Sequence, residues 1–262
     1  MGKSNPYAQA REKKGNPLFI PFVVLGDPDK EKSLDIVKTL IESGADALEL
    51  GFPFSDPPAD GPVIQEADMR ALKSGIRVND CFDLLRDIRK VTDIPIGLLI
   101  YFNLVLQRGI DKFYRECKEA GVNSVLIADL PLEHAKEVVP IAKKHGIAPV
   151  FIVSELSSDE RMQNISKMSD GYLYVVSYLG VTGVEESVLE GKIKNTIDRA
   201  RKHTDLPLCV GFGINSAQQA QAAVKAGADG VIVGSRIVKE VPDRKKIALV
   251  CEELCTSIHE TS

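Results

Sequence analysis

Two acidic residues in the first quarter of the chain have the setting of a catalytic pair. Glu49 lies in the apolar run Ala-Leu-Glu49-Leu, and Asp60 follows in a proline-rich segment. Side chains alternate between the two faces of a strand, so Leu48 and Leu50 share one face and Glu49 lies on the other. A carboxyl group turned into the protein loses solvent, which raises its pKa toward the range useful for proton transfer. We therefore predict that Glu49 acts as acid and base. The alternative is a structural glutamate paired with a lysine or an arginine.

The segment that carries Asp60 is suited to holding a side chain in place. It contains four prolines, at positions 53, 57, 58 and 62. Proline fixes its own φ angle, so such a loop loses little conformational entropy when it becomes ordered. Asp60 also precedes a glycine, and Asp-Gly is an ordinary turn sequence. Both a catalytic role and a turn role are open for Asp60 at this point.

Three glycine-rich sequences in the last third of the chain indicate a phosphate site. Each follows a short apolar run: Gly180-Val-Thr182-Gly183, Gly211-Phe-Gly213 and Gly234-Ser235. Small residues let backbone N–H groups approach an anion, and Ser235 opens a short helix whose N-terminal dipole faces it. One Gly-x-Gly is weak evidence because turns use it freely. Three such clusters at successive strand ends predict phosphate binding.

A repeated pattern of amphipathic helix, glycine and β-branched run supplies the elements that position these residues. Copies are centred on Gly44, Gly121 and Gly227, with a looser copy at Gly146. The glycine provides the left-handed residue that ends a helix, and the apolar run predicts a buried strand. The predicted strands span residues 18–24, 45–50, 95–101, 124–128, 148–153, 171–176, 206–211 and 230–233. Continuous apolar strands that alternate with helices indicate a parallel sheet covered on both faces.

Eight such units in 262 residues favour a (β/α)8 TIM barrel, with an open doubly wound sheet as the alternative. We expect a single domain over residues 1–262, in which residues 1–16 form a helical or irregular extension. The spacing between units is longest after strands 2 and 6, so the loops there are predicted to be enlarged. In a barrel these loops lie at the C-terminal face of the strands, where catalytic groups are placed.

The composition excludes several classes of protein. A net charge of −4, from 33 basic and 37 acidic residues, argues against a nucleic-acid partner. The sequence has no run of about 18 apolar residues, so we expect no membrane-spanning helix. The polar N-terminus does not resemble a secretion signal. Five scattered cysteines and four histidines show no metal-ligand spacing. We therefore expect a reduced, cytoplasmic protein with no metal site and no membrane partner.

The sequence as a whole resembles the alpha subunits of tryptophan synthase, over residues 18–241. The resemblance is carried by the glycine clusters above, by Pro21-Phe-Val-Val-Leu-Gly-Asp-Pro28 and by the highly specific block Gly44-Ala-Asp-Ala-Leu-Glu-Leu-Gly-Phe-Pro-Phe-Ser-Asp-Pro-Pro-Ala-Asp-Gly-Pro-Val-Ile-Gln65. It implies a TIM barrel that cleaves indole-3-glycerol phosphate to indole and glyceraldehyde 3-phosphate. Such a protein is a carbon–carbon lyase of tryptophan biosynthesis.

The resemblance also assigns roles to residues. Glu49 and Asp60 match the catalytic pair of the family. The backbone amides that hold the phosphate match those of Gly183, Gly213, Gly234 and Ser235. The indole pocket is expected to include Phe22, Leu99, Leu126 and Tyr174. Thr182 belongs to the strand-6 loop that closes over the substrate.

The resemblance implies a partner as well. The family works as an αββα heterotetramer in which indole passes to the beta subunit. The beta subunit uses pyridoxal phosphate to join indole to serine, and no cofactor is expected in the present chain.

The reaction explains the two acids. The bond to be broken joins indole C3 to a carbon that bears a hydroxyl group, so the cleavage is a retro-aldol step. Indole leaves readily only after C3 is protonated, which places positive charge on N1. Glu49 is then the acid at C3 and the base for the hydroxyl proton, whereas ionised Asp60 stabilises and deprotonates N1. We expect a raised pKa for Glu49 and an ordinary one for Asp60.

One departure from the family pattern leaves other functions open. Tyr178 stands where the family commonly has arginine, at the start of the closing loop. The chain could therefore be chiefly a regulatory subunit that binds the phosphate ligand and activates a partner. Another phosphosugar enzyme, such as an isomerase, is a third hypothesis. It predicts turnover of a sugar phosphate without cleavage of the indole substrate.

Overall fold

The computed structural model describes residues 5–176 and 186–261, and the bounds that follow refer to these residues. The strands are β1 (Leu18–Val24), β2 (Leu48–Gly51), β3 (Ile96–Ile100), β4 (Ser124–Ile127), β5 (Ala148–Val153), β6 (Leu173–Val176), β7 (Leu208–Gly211) and β8 (Gly230–Val233). The helices are α1 (Pro6–Lys14), α2 (Lys30–Glu42), α3 (Pro62–Lys73), α4 (Val78–Arg89), α5 (Phe102–Arg108), α6 (Ile110–Glu119), α7 (Ala135–His145), α8 (Asp159–Met168), α9 (Glu186–Arg201), α10 (Ala217–Lys225), α11 (Ser235–Val238) and α12 (Arg244–His259). No helix within the described residues is long and apolar enough to cross a membrane.

The strands form a closed parallel barrel. Each strand pairs with the next along the chain, and β8 pairs with β1. This confirms the predicted (β/α)8 barrel, and the alternative of an open sheet is wrong. The register sets Phe22 beside Glu49, and Leu99 beside Leu126. Residues paired in this way in parallel strands point to the same face, so these four side chains belong to the inner face of the barrel.

Three strands have the bounds that the sequence predicts, and β2 begins later than predicted. The predicted strand starts at residue 45, whereas β2 starts at Leu48. The carboxylate of Asp46 accepts a hydrogen bond from the backbone N–H of Phe19, and the N–H of Asp46 donates to the carbonyl of Phe19. The segment before β2 is thus held to β1 partly by a side chain, which an apolar pattern does not reveal.

The segment between β2 and α3 places Asp60 directly before a helix. Helix α3 begins at Pro62, after Gly61 as the N-cap residue. Proline is well suited to the first position of a helix because its missing N–H would have no partner there. Asp60 is therefore anchored between the barrel and the first turn of α3. The loop that follows β6, residues 177–185, lies outside the described residues.

Candidate functional site

A cavity of about 680 Å³ opens at the C-terminal ends of the strands. This volume is in the range of sites that enclose a small organic molecule. The cavity is lined by residues from the barrel, from the segment before α3 and its first turn, and from the loops after β7 and β8: Phe22, Glu49, Ala59, Asp60, Gly61, Pro62, Val63, Ile64, Leu99, Tyr174, Phe212, Gly213, Ile214, Asn215, Ile232, Gly234 and Ser235. Most of the residues predicted from sequence to form a site thus meet in one cavity.

Glu49 is a carboxyl group buried in the wall of this cavity. Only 1% of the residue is exposed, because β2 turns it toward the barrel interior. The hydroxyl of Tyr172 donates a hydrogen bond of 2.9 Å to Glu49 Oε1. Burial raises the pKa of Glu49 to about 7; the hydrogen bond from Tyr172 lowers it, and the nearby charge of Asp60 raises it. Glu49 therefore exchanges a proton near neutral pH, as the sequence predicts.

Asp60 faces the same cavity from the segment before α3. The hydroxyl of Tyr101 donates a 2.7 Å hydrogen bond to Asp60 Oδ2 and accepts one from the backbone N–H of Ala59. Burial raises the pKa of Asp60, and the hydrogen bond from Tyr101 lowers it. The expectation of an ordinary pKa for Asp60 is therefore wrong, because the loop is packed against the barrel more closely than a proline-rich turn suggests. The ring of Phe54 stacks on Tyr101, with 5.1 Å between the ring centroids.

A second buried acid lies close to Asp60. Asp68, on α3, is 3% exposed, and its Oδ1 accepts a long hydrogen bond of 3.4 Å from the N–H of Phe54. Among the described residues, no group donates a hydrogen bond to its Oδ2. Burial and the charges of Asp60 and Asp27 raise the pKa of Asp68 to about 7. A buried acid beside the Asp60 loop is therefore uncharged in mildly acidic solution.

The end of the cavity that the sequence predicts to bind an anion is formed by small residues after β7 and β8. Gly213 has a φ angle of +82°, a conformation that L side chains rarely adopt. Gly234 is the N-cap residue of α11, and Ser235 is its first helical residue. A Cβ atom at Gly234 would lie 3.2 Å from the ring of Phe22, so the strand end has little room for a side chain. Such a surface offers backbone N–H groups to a phosphate.

Apolar side chains line the same cavity as the two acids and these small residues. Phe22, Leu99 and Tyr174 line the cavity, as the sequence predicts. Gly211 makes room for Tyr174, because a Cβ atom there would lie 2.1 Å from the tyrosine hydroxyl. Leu126 does not belong to this wall. It lines a separate cavity of about 440 Å³ at the ends of β4 and β5.

Two of the predicted site residues cannot be placed. Gly183 and Thr182 lie outside the described residues, as does Tyr178. The contribution of the strand-6 loop to the phosphate site and to closure thus stays a prediction.

Several lining residues were not singled out by the sequence. Ile232 lines the cavity, and Tyr172 contacts Glu49. Alternation could have found both, because each lies two residues before a predicted site residue, Gly234 and Tyr174. Phe212 has a positive φ angle of 62°, which nothing in the sequence indicates. No local sequence pattern predicts that Ile64 lines the cavity, because its position depends on where α3 begins.

The arrangement combines an acid whose pKa is about 7, a second carboxyl group, apolar walls and a cavity end lined by glycines and a helix N-terminus. In the described part of the chain, no group of three or more His, Cys, Asp or Glu residues could hold a metal ion. The chemistry within reach of the described side chains is proton transfer to and from an apolar ligand that carries an anionic group.

Comparison with known proteins gives one family. The family model described as tryptophan synthase alpha chain matches residues 7–260. The tryptophan synthase alpha chain of Methanothermobacter thermautotrophicus is 48% identical over 236 residues, which cover 90% of this chain and 87% of the relative. That of Francisella tularensis is 51% identical over 229 residues, which cover 87% of this chain and 85% of the relative.

Solved structures show the same likeness. A chain of the tryptophan synthase complex of Pyrococcus furiosus is 35% identical, with a TM-score of 0.82 over 91% of this chain and 98% of that chain. A chain of tryptophan synthase of Mycobacterium tuberculosis is 29% identical, with a TM-score of 0.88 over 97% of both chains.

Proposed function

The chain belongs to the tryptophan synthase alpha chain family, and from that premise we propose how its own residues act. It cleaves indole-3-glycerol phosphate in the synthesis of tryptophan. The proposal is carried by one observation: Glu49 and Asp60 open into the same cavity that ends at Gly213, Gly234 and Ser235. A substrate with an indole ring at one end and a phosphate at the other fits that distribution of groups.

Glu49 transfers the protons of the bond cleavage. In its protonated form it donates to indole C3, which turns the ring into a leaving group. It then takes the proton of the neighbouring hydroxyl group, so that the C–C bond breaks and an aldehyde forms. A carboxyl group whose pKa is about 7 serves both steps, because neither protonation state is strongly disfavoured at neutral pH.

Asp60 stabilises the positive charge that develops on indole N1 and accepts the N1 proton. The hydrogen bond from Tyr101 fixes the orientation of its carboxylate and favours the charged form. The two carboxyl groups thus have separate roles: Glu49 acts at C3 and the hydroxyl group, and Asp60 acts at N1. We infer that the products are indole and glyceraldehyde 3-phosphate.

Phosphate binding orients the substrate. The backbone amides of Gly213, Gly234 and Ser235, together with Gly183 of the strand-6 loop, hold the anion, while Phe22, Leu99 and Tyr174 contact the ring. Fixing both ends sets the reacting carbon against Glu49, and such positioning supplies a large part of the rate acceleration.

The partner of this chain is a tryptophan synthase beta subunit, with which we expect an αββα assembly. The cleavage uses no cofactor in this chain. We propose that the beta subunit supplies pyridoxal phosphate chemistry, which joins the released indole to serine.

An activity assay separates this function from the other hypotheses. The isolated chain is incubated with indole-3-glycerol phosphate, and indole and the triose phosphate are quantified; the assay is repeated with the beta subunit. We expect equimolar products in both cases, faster in the complex. Product in the complex alone would favour a regulatory subunit, and isomerisation of a sugar phosphate without indole release would favour a phosphosugar enzyme.

A further inference from the structure

The buried acid on α3 is linked to Asp60 by a short chain of contacts. The backbone N–H of Phe54 donates a hydrogen bond of 3.4 Å to Asp68 Oδ1. The ring of Phe54 stacks on Tyr101, whose hydroxyl donates to Asp60 Oδ2. We propose that Asp68 is a positioning residue for the cleavage, which holds Phe54 so that Tyr101 presents its hydroxyl to Asp60. This inference rests on the proposed function, because it concerns the part that Asp60 takes in the cleavage.

The surroundings of Asp68 do not explain it as a stabilising residue. Its side chain is buried, and among the residues that the structure describes none makes a hydrogen bond to Oδ2. A buried polar atom without a partner costs free energy and is rare in folded proteins. Arg70, two residues further along α3, donates hydrogen bonds of 2.8 and 2.7 Å to the carboxylate of Asp27. Since this neighbouring cation is bound elsewhere, stability alone does not account for an acid at position 68.

The neutral form of Asp68 is sufficient for its contact with Phe54. Burial and the charges of Asp60 and Asp27 raise the pKa of Asp68 to about 7, so the group carries a proton at pH 6. With that proton on Oδ2, Oδ1 is a carbonyl oxygen and accepts the N–H of Phe54. The side-chain amide of asparagine offers the same acceptor in the same place. Asp68→Asn therefore keeps the contact, whereas Asp68→Ala removes it.

Tyr101 meets the segment before α3 at two points. Its ring lies nearly parallel to that of Phe54, with an angle of 22° between the ring planes. Its hydroxyl accepts a 3.3 Å hydrogen bond from the N–H of Ala59 and donates one of 2.7 Å to Asp60. When the N–H of Phe54 loses its acceptor, the Phe54 ring is no longer fixed and Tyr101 loses the surface that orients it. The hydrogen bond to Asp60 is then weakened, although neither of its two partners has been changed.

The test is a double-mutant cycle on indole release by the full chain at pH 6. Asp68→Ala should lower kcat about tenfold and change KM by less than about twofold, because the charge that Asp60 stabilises develops during the reaction. In the Tyr101→Phe background the same substitution should lower kcat by less than about twofold, because no hydroxyl is left to position. Equal losses in the two backgrounds would show that Asp68 only supports the fold, and would overturn the proposal.

Three further variants complete the kinetic test. Asp68→Asn keeps the acceptor and should keep kcat within about twofold of the parent chain at pH 6. Glu66→Ala, which removes an exposed acid from the same helix, should do the same. Phe54→Leu covers the case in which Asp68→Ala does not fold: it removes the ring that stacks on Tyr101 and should lower kcat about as much as Asp68→Ala. Parental kcat in Phe54→Leu, or a large loss in Asp68→Asn, would contradict the chain of contacts.

A titration of Asp60 tests the positioning without the reaction. The carboxyl signals of a chain labelled with [4-13C]aspartate are followed by NMR, and Asp60→Asn identifies the signal of Asp60. Burial raises the pKa of Asp60 and the hydrogen bond from Tyr101 lowers it. This pKa should therefore rise by about half a unit in Asp68→Ala and stay the same in Asp68→Asn. The other ionisable groups around the two acids are Glu49 from β2, Tyr101 after β3, Tyr174 from β6, Asp27 after β1 and its partner Arg70 from α3.

The two measurements separate this inference from the proposed function. A raised pKa of Asp60 in Asp68→Ala, in a chain whose parent releases no indole, would support the positioning and contradict the proposed function. An unchanged or lower pKa of Asp60 in Asp68→Ala would overturn the positioning. If the parent chain releases indole in that case, the proposed function still stands.

Discussion

The hydrogen bond from Tyr172 to Glu49 sets the pH range in which the acid works, and Tyr172→Phe removes it. The bond joins two groups that are fully inside the barrel, at 2.9 Å, and it favours the ionised form of Glu49. A hydrogen bond to a charged group contributes about 1.5–3 kcal/mol, which corresponds to roughly one to two pKa units. In Tyr172→Phe the pKa of Glu49 should therefore rise from about 7 to above 8.

The assay is the pH profile of kcat/KM for indole release. The protonated form of Glu49 starts the reaction, so the rate of the parent chain should fall as the pH rises through about 7. In Tyr172→Phe this alkaline limb should move up by at least one pH unit. The acid limb, which reports Asp60, should move much less. An alkaline limb that stays in place or moves to lower pH would refute the assignment of Glu49 as the acid.

Three further perturbations follow from the same geometry. Folding raises the pKa of Glu49 from 4.5 to about 7, so the stability that its proton provides is complete below about pH 4.5 and is lost as the pH rises through 7. Urea unfolding at pH 5 and at pH 8 gives the free energy of unfolding of Glu49→Gln minus that of the parent chain. This difference should be about 3 kcal/mol larger at pH 8 than at pH 5; an equal difference at both values would contradict the prediction. Gly213→Ala should raise KM about tenfold and change kcat little, because alanine at a positive φ angle strains the turn proposed to bind the phosphate. The control is Gly15→Ala, which also lies at a positive φ angle and has open space around it, and it should leave KM unchanged. Asp68→Asn removes an acid whose pKa folding raises from 3.8 to about 7, so its gain in the free energy of unfolding over the parent chain should be larger at pH 8 than at pH 5; an equal difference at the two values would show that packing and not charge is altered.

The barrel and half of the active site could be read from local patterns. Continuous apolar runs after helix-ending glycines mark buried parallel strands, and alternation along β2 turns Glu49 to the interior. The glycines after β7 and β8 mark the end of the cavity proposed to bind the phosphate, because the residue type itself limits what those positions can do. Each of these signals lies within a few residues of the feature that it predicts.

The remaining parts depend on residues that are distant in sequence. Tyr101 donates to Asp60 and Tyr172 donates to Glu49 only because the barrel brings together residues that are 41 and 123 positions apart in the sequence. The same holds for the raised pKa of Asp60, which comes from burial of the loop that packs on Tyr101. Leu126 shares the inner face with Leu99, yet it lines the neighbouring cavity, because a face of a strand does not specify which of two adjacent cavities a side chain enters.

Single-turnover cleavage by Glu49→Gln tests the central claim most directly. Enzyme in excess is mixed with indole-3-glycerol phosphate, indole release is followed with time, and substrate binding is measured by calorimetry on the same preparation. Glutamine keeps the shape of the side chain but cannot transfer the proton, so binding should stay within a few-fold of the parent chain while release slows by about 10²-fold or more. Release at the parental rate by a variant that still binds substrate would contradict the role of Glu49.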